Sequence, residues 1–454
     1  MKFLFAHNAL CPQGWQTNLR LTIADGMIVS IDMVKSPNAD DVQIQTLLPA
    51  MPNLHSHTFQ RAMAGMAESR GTGPDSFWTW RDLMYRFLAN LTPDDIQSIA
   101  AFAFMEMLEQ GYASVAEFHY IHHQADGTPY QNPCELSGRI LAAAQTAEMG
   151  LTLLPVLYSY AGLAKQALQG AQRRFGNTLD RYMRMRQDIE TRLATHYADY
   201  RAGLAPHSLR ATTQDQLRHI AAEMDSGPIH MHIAEQQREV NEVEAALAAR
   251  PVRWLLDNLA VNSNWCLIHA THMDTTETTD LAACRAVAGL CPITESNLGD
   301  GIFNGKSYLA SAGRFGIGTD SNVKISVAQE LATLEYSQRL HLRQRNVLAG
   351  EGSSTGETLY ARACTGGAQA LQRRTGQIAV GFLADLVAID TTVPTLSTLT
   401  RSQWLDGWIF ASTANIVTDV WSAGRHCVTA GSHVNRDSIV AQYRKTMSRL
   451  VPLL

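Results

Sequence analysis

The run Asn53-Leu54-His55-Ser56-His57 places two imidazoles at positions i and i+2. In an extended chain those side chains share a face, so both rings can meet one ion. Ser56 points to the other face and lacks a Gly-x-Ser-x-Gly elbow, which argues against a serine nucleophile. Three further apolar runs end in comparable residues: Ile229-His230-Met231-His232-Ile233, Leu267-Ile268-His269 and Gly316-Ile317-Gly318-Thr319-Asp320. Imidazole and carboxylate ligands suit a divalent ion such as zinc, and ligand type alone leaves nickel, iron and manganese open. A catalytic zinc keeps a position for water and lowers that water's pKa to about 7. Asp320 could both touch the ion and take the water's proton. Glu235 follows His232 closely and could pass a proton to a leaving nitrogen. His269 could either ligate the metal or orient the attacking water.

A second group of residues concerns the substrate. Ala205-Pro206-His207-Ser208-Leu209-Arg210 carries His207 and Arg210 just past an apolar run. The guanidinium fork matches a carboxylate, and imidazole adds a further donor. Gln60, Arg81 and Tyr120 fall beside other strand-end segments. Several donors around one mouth favour a small anionic substrate. The glycines around Gly299-Asp300-Gly301 lack the Gly-Lys-Ser/Thr of a phosphate loop.

Positioning these residues requires a particular set of elements. From about residue 49 to 370, short apolar runs alternate with longer helical patterns. The strands are expected to end at His55, Phe118, Leu157, Pro206, Ile233, His269, Ile293 and Gly318. Helical patterns cover Pro93 to Glu109, Gln214 to Met224 and Asn241 to Ala249. This α/β alternation predicts a closed (β/α)8 barrel of the TIM type, although a doubly wound sheet shares it. Barrels carry reactive groups at the C-terminal ends of their strands, where the four motifs would converge. Outside this stretch the pattern is β-rich. Leu19 to Ile23 and Met27 to Ile31 flank an Asp25-Gly26 turn, and Ala384 to Ile389, Ile416 to Trp421 and His426 to Thr429 supply more strands. Residues 1–48 together with 371–454 are therefore expected to form a small β-sandwich domain, and 49–370 the catalytic barrel. The Thr-rich stretch from Thr391 to Thr400 is expected to be a loop.

Composition sets outer bounds. With 454 residues, 46% hydrophobic and 17% charged, the chain can bury a large core. A net charge of −5 gives no footprint for nucleic acid, and the basic pairs at Arg173-Arg174 and Arg181 to Arg186 are expected on solvated helix faces. Seven cysteines without a CxxC pair fit a reducing cytoplasm. No apolar run reaches the roughly 18 residues of a membrane span, and the amino terminus, which soon meets Asn8, Pro12 and Gln13, is not expected to be a secretory h-region.

The motifs resemble the amidohydrolase superfamily and, more closely, its formimidoylglutamate deiminase family. The resemblance is carried by Met51 to Gly65, Trp78-Thr79-Trp80-Arg81, Glu117-Phe118-His119-Tyr120 and Ala205 to Arg210. It continues through His232-Ile233-Ala234-Glu235, His269, Thr294 to Gly301, Thr319-Asp320-Ser321 and Gly376 to Asp390. It implies His55, His57, His232 and Asp320 as ligands of one divalent ion per subunit, zinc, with His269 close to the metal and its water. It implies Glu235 as the proton shuttle, and Gln60, Arg81, Tyr120, His207 and Arg210 as the pocket for the glutamate portion of N-formimidoyl-L-glutamate. The implied reaction yields N-formyl-L-glutamate and ammonia in histidine degradation, and the implied assembly is a homodimer. The candidate fourth strand carries no lysine, which favours a single metal over a bridged pair. A related deaminase of a guanine- or cytosine-like ring, or a noncatalytic metal-stabilised scaffold, would share the metal residues.

Overall fold

The computed structural model describes residues 1–70, 76–223 and 227–453. Eight short strands form the centre: β1 (Met51–Ser56), β2 (Tyr112–His119), β3 (Gly150–Leu157), β4 (Ala205–Pro206), β5 (Ile229–Ile233), β6 (Trp265–His269), β7 (Val287–Leu290) and β8 (Arg314–Ile317). Neighbours pair in parallel along β1-β2-β3-β4 and along β5-β6-β7-β8. Bridges at Leu204–Ile229 and Ser56–Asp320 join the two halves into a closed barrel. β1, β2, β3, β5 and β6 are buried along their whole length. Continuous burial requires the near-continuous apolar runs seen in the sequence, because helices cover one face and the barrel interior the other.

The seam between β8 and β1 is unusually close. A Cβ on Gly318 would lie 2.8 Å from both the backbone nitrogen and the backbone oxygen of His55. Gly318→Ala should therefore force the strands apart, lowering stability by about 1–3 kcal/mol and reducing metal content together with it. Thermal melting and elemental analysis on one sample check both effects.

Helix Pro93–Glu109 begins where expected. Thr92 and Asp95 form a reciprocal capping box and Pro93 occupies the first turn. The helix expected from Gln214 runs to Ala222, and the Met224 end lies outside the described residues. The pattern at Asn241 to Ala249 belongs to a helix spanning Gln237–Leu247. The seventh strand differs from expectation: it stops at Leu290, and Ile293 lies in helix Pro292–Leu298. Pro292 at the first helical position has no N–H to lose and starts the helix there.

The terminal segments build one continuous eight-stranded sheet. Its order is Ser432–His433, Arg425–Thr429, Val417–Ser422, Leu386–Ile389, Val42–Pro49, Lys2–Cys11, Gly14–Ala24 and Met27–Met33. Asp25 and Gly26, both at positive φ, make the predicted hairpin turn. Leu386–Ile389 shows why the sheet sits where it does. Val387 and Ile389 join the barrel core, while Leu386 and Ala388 join a second apolar cluster with Leu4, Leu21, Ile28 and Trp421. The last helix, Arg436–Leu450, leaves this sheet and lies on Pro93–Glu109, with Tyr443 stacked on Phe102 at 3.9 Å.

Between β1 and that barrel helix, the chain inserts helix Phe77–Leu88. Its side chains Phe77, Trp80, Arg81, Met84 and Tyr85 all face the barrel mouth. One expectation fails beside it. Arg174 is fully buried rather than solvated, donating from Nε to the His123 carbonyl and from Nη1 to the Leu88 carbonyl. Those acceptors are backbone carbonyls of a helix end and a loop, which is why a cation is tolerated there. Arg186 is also mostly buried.

Candidate active site

His55, His57, His232 and Asp320 meet at the C-terminal mouth of the barrel. Each offers one ligand atom, and these atoms lie within 4.8 Å of one another. His55 Nε2 stands 3.1 Å from Nε2 of both His57 and His232. Asp320 Oδ1 is 3.6 Å from His55 Nε2 and 3.4 Å from His57 Nε2. Ligands about 2.1 Å from a single ion stand about 3–3.5 Å apart, so the spacing fits one metal.

The protonation pattern fits it too. His57 Nδ1 faces the Phe118 carbonyl at 2.9 Å, and His232 Nδ1 faces the His207 carbonyl at 3.3 Å. Those contacts place the ring hydrogens on Nδ1 and turn the Nε2 lone pairs inward. Burial keeps the rings neutral, pushing His55 down to about 3 and lowering His57 and His232 as well. Burial alone would raise the Asp320 carboxyl, but the His55 hydrogen bond and the neighbouring rings bring it below its usual range. The His57 and His232 lone pairs and the Asp320 carboxylate thus converge on one space, an arrangement suited to a cation between them. The residues fit a divalent ion.

The backbone under this cluster is held by reciprocal contacts. Asp320 N–H donates to the His55 carbonyl at 2.9 Å, and His57 N–H donates to the Asp320 carbonyl at 2.9 Å. Buried Asn53 donates to Thr319 Oγ1 at 2.8 Å and accepts from Thr319 N–H at 3.1 Å. Ala234, His269 and Asp320 all take positive φ. Each such residue costs about 1–3 kcal/mol and persists only where its surroundings enforce it.

Beside these four residues lie two further titratable groups, Glu235 and His269. Burial raises Glu235 to about 7, against the pull of the His269 charge. His269 Nε2 is 3.8 Å from Glu235 Oε1 and 3.9 Å from Asp320 Oδ2, while its Nδ1 is 3.2 Å from Glu295 Oε1. Burial disfavours its charged form, yet Glu235, Glu295 and Asp320 together raise it to about 10.

The predicted substrate residues border the same pocket. Gln60, Arg81, Tyr120, His207 and Arg210 line it together with His57, His232, Glu235, His269 and Asp320. His55 alone among the predicted residues lies beneath it, fully buried. Gln60 Nε2 donates to Tyr120 Oη at 2.9 Å, and Gln60 Oε1 is buried without a partner. Arg81 and Arg210 have buried Nε groups without acceptors, and neither guanidinium has an ion-pair partner among the described residues. Both approach the Trp78 ring, at 4.4 Å for Arg81 and 5.9 Å for Arg210.

Sequence reasoning gave no role to the aromatic wall of Phe77, Trp80, Tyr85, Tyr158 and Phe175. It also assigned none to Glu295 or to Asp300, whose carboxyl burial and Glu235 push up to about 9. The density of Trp and Tyr in Phe77–Leu88 was the available signal for the wall. Buried carboxylates packed behind the His269 ring leave no comparable mark in one sequence.

The chain belongs to the amidohydrolase family, which it matches over residues 46–427. The particular branch is that of the formimidoylglutamate deiminases. Residues 1–45 match the N-terminal domain of formimidoylglutamate deiminase HutF. The chain is 47% identical to the formimidoylglutamate deiminase of Pseudomonas aeruginosa, covering 99% of this chain and 100% of that one. Among solved structures it superposes on an amidohydrolase from Brucella melitensis with a TM-score of 0.95 and 45% identity, covering 99% and 100% of the two chains. An adenosine deaminase from Xanthomonas campestris with bound zinc shares the fold, with a TM-score of 0.81 and 20% identity over 99% and 98% of the chains.

Proposed function

We propose that the chain hydrolyses N-formimidoyl-L-glutamate to N-formyl-L-glutamate and ammonia, the deiminating step of histidine degradation. The observation that carries this reading is the pair of guanidiniums, Arg81 and Arg210, which line the pocket with His57, His232 and Asp320 and have no carboxylate within ion-pair distance among the described residues. Two cationic forks suit a dicarboxylate better than a neutral ring. The Pseudomonas aeruginosa relative, named for this activity, supports it over the full chain length.

His55, His57, His232 and Asp320 would hold one zinc ion per subunit; the zinc in the Xanthomonas campestris neighbour supports that choice. Bound there, the ion would supply Lewis acidity and lower the pKa of a water to near neutrality. The chain's own groups do the rest. Asp320 takes the proton of the attacking water. Glu235, raised to about 7 and so protonated over much of the neutral range, delivers a proton to the nitrogen that leaves as ammonia. His269 Nε2 faces the same space and steadies the oxygen that adds to the formimidoyl carbon. Arg81, Arg210, His207, Gln60 and Tyr120 fix the distant glutamate portion, which keeps that carbon over the water.

The same reading assigns catalysis to residues 49–370, with 1–48 and 371–454 as the β unit, in a cytoplasmic homodimer. Sedimentation at several concentrations tests the assembly. Among the described residues no helix is long and apolar enough to cross a membrane.

Ammonia release is to be measured from formimidoylglutamate, guanine, cytosine and simple amidines, with metal content determined on the same sample. Formimidoylglutamate should be used far faster than the others; preference for a ring amine would overturn the assignment. Chelation should lower turnover at least about 1000-fold and leave the barrel folded, because its apolar core does not depend on the ion. Readdition of zinc should restore the rate. Turnover that survives verified metal removal would refute the mechanism.

A further inference from the structure

His269 ends β6 with φ at 69°, and its ring is 1% exposed. Its two nitrogens face different surroundings. Nε2 looks into the pocket toward Glu235 and Asp320, whereas Nδ1 is 3.2 Å from Glu295 Oε1 on the far side. Glu295 is itself fixed. It lies in the first turn of helix Pro292–Leu298, and its Oε1 also accepts the Cys291 N–H at 2.8 Å. Its backbone N–H donates to the Cys291 carbonyl at 2.9 Å, and its carbonyl accepts from Asp300 N–H at 2.9 Å. It is 6% exposed and outside the substrate pocket.

From this geometry we infer that Glu295 is a positioning residue: its carboxylate anchors His269 Nδ1 so that Nε2 is presented to the reacting atoms. The inference rests on the proposed role of His269 in steadying the oxygen that adds to the formimidoyl carbon. A carboxylate at Nδ1 keeps the ring hydrogen there and sets the ring plane. Without it, an imidazole on a strained strand end can rotate about its Cβ–Cγ bond and offer the pocket a different edge. The rate then falls while substrate binding, supplied by the arginine side of the pocket, persists.

The ligand atoms of His269, Cys291 and Glu295 also lie within 4.8 Å of one another, close enough for a second ion. The hydrogen-bonded arrangement is favoured because Glu295 Oε1 already receives the Cys291 N–H and faces His269 Nδ1. Metal stoichiometry separates the two.

The test uses the metal-loaded enzyme with Glu295→Gln, Glu295→Asp and His269→Ala, alone and with the Glu295→Gln change added to His269→Ala. The substrate is whichever amidine or ring amine the wild type turns over fastest. The wild type thus reports on the substrate assignment, and the variant ratios report on Glu295. Glu295→Gln should lower kcat about 10–1000-fold with KM within about threefold and unchanged metal per chain. Glu295→Asp, which keeps the charge but withdraws it by one methylene, should also lower kcat. In the His269→Ala background, Glu295→Gln should cost less than twofold. A kcat within threefold of wild type in both Glu295 variants, additive losses in the double variant, or two ions in wild type and one in Glu295→Gln would each overturn the inference.

Discussion

Glu235→Gln should give a protein that melts at a higher temperature above neutral pH and hardly releases ammonia. Both effects have one cause. The Glu235 carboxyl is buried, and folding raises it from the ordinary 4.5 to about 7. A group whose folded pKa is raised stabilises the fold fully below its unfolded pKa, and this contribution is lost as pH rises through the folded value. The native carboxylate is therefore tolerated at a cost above pH 7. Glutamine keeps the shape without the charge. In metal-free protein the variant should gain about 1–3 kcal/mol above pH 7, and the gain should vanish below about pH 4.5. Turnover should fall about 100–10,000-fold, since amide nitrogen cannot shuttle the proton. Melting curves at pH 4, 6 and 8 beside ammonia assays check both halves; a variant less stable than wild type at pH 8 would contradict the argument.

Arg210→Ala should raise KM for formimidoylglutamate about 10–100-fold, the loss expected when a charge-assisted pair of about 1.5–3 kcal/mol is removed. The guanidinium approaches the Trp78 ring with Arg81 beside it, while Arg238 from helix Gln237–Leu247 lies over the same indole at 4.3 Å. Truncation removes one arm of this cationic cluster without touching the metal ligands, so metal content should stay at the wild-type level. The control is formamidine, which has no carboxylate. Wild type and variant should use it equally, and an equal loss on both substrates would show that Arg210 supports the fold rather than the carboxylate.

The metal centre was legible because its residues stand at the ends of apolar runs, and strand register fixes where such ends point. His55, His57, His232 and Asp320 obey that rule, and so does His269 beside them. Glu295 escaped it for the same reason. Extending the seventh strand to Ile293 hides the fact that Pro292 has begun a helix, and with it the direction of Glu295. Arg174 was unreadable because its acceptors are the Leu88 and His123 carbonyls. Backbone acceptors supplied by distant segments leave no trace in residue type. The cover of Phe77, Trp80 and Tyr85 arises from an insertion between a strand and its helix, and barrel periodicity says nothing about insertions.

The interleaved terminal sheet sets the order of events during synthesis. Strand Val42–Pro49 leaves the ribosome early, yet its partner Leu386–Ile389 follows only about 340 residues later. At about 5–20 residues per second that is roughly 20–70 s. Through this interval the nascent chain carries an unpaired strand edge beside a barrel free to assemble, the kind of edge that invites pairing with other chains. The β unit is thus completed last, once the strand at Leu386–Ile389 has been made.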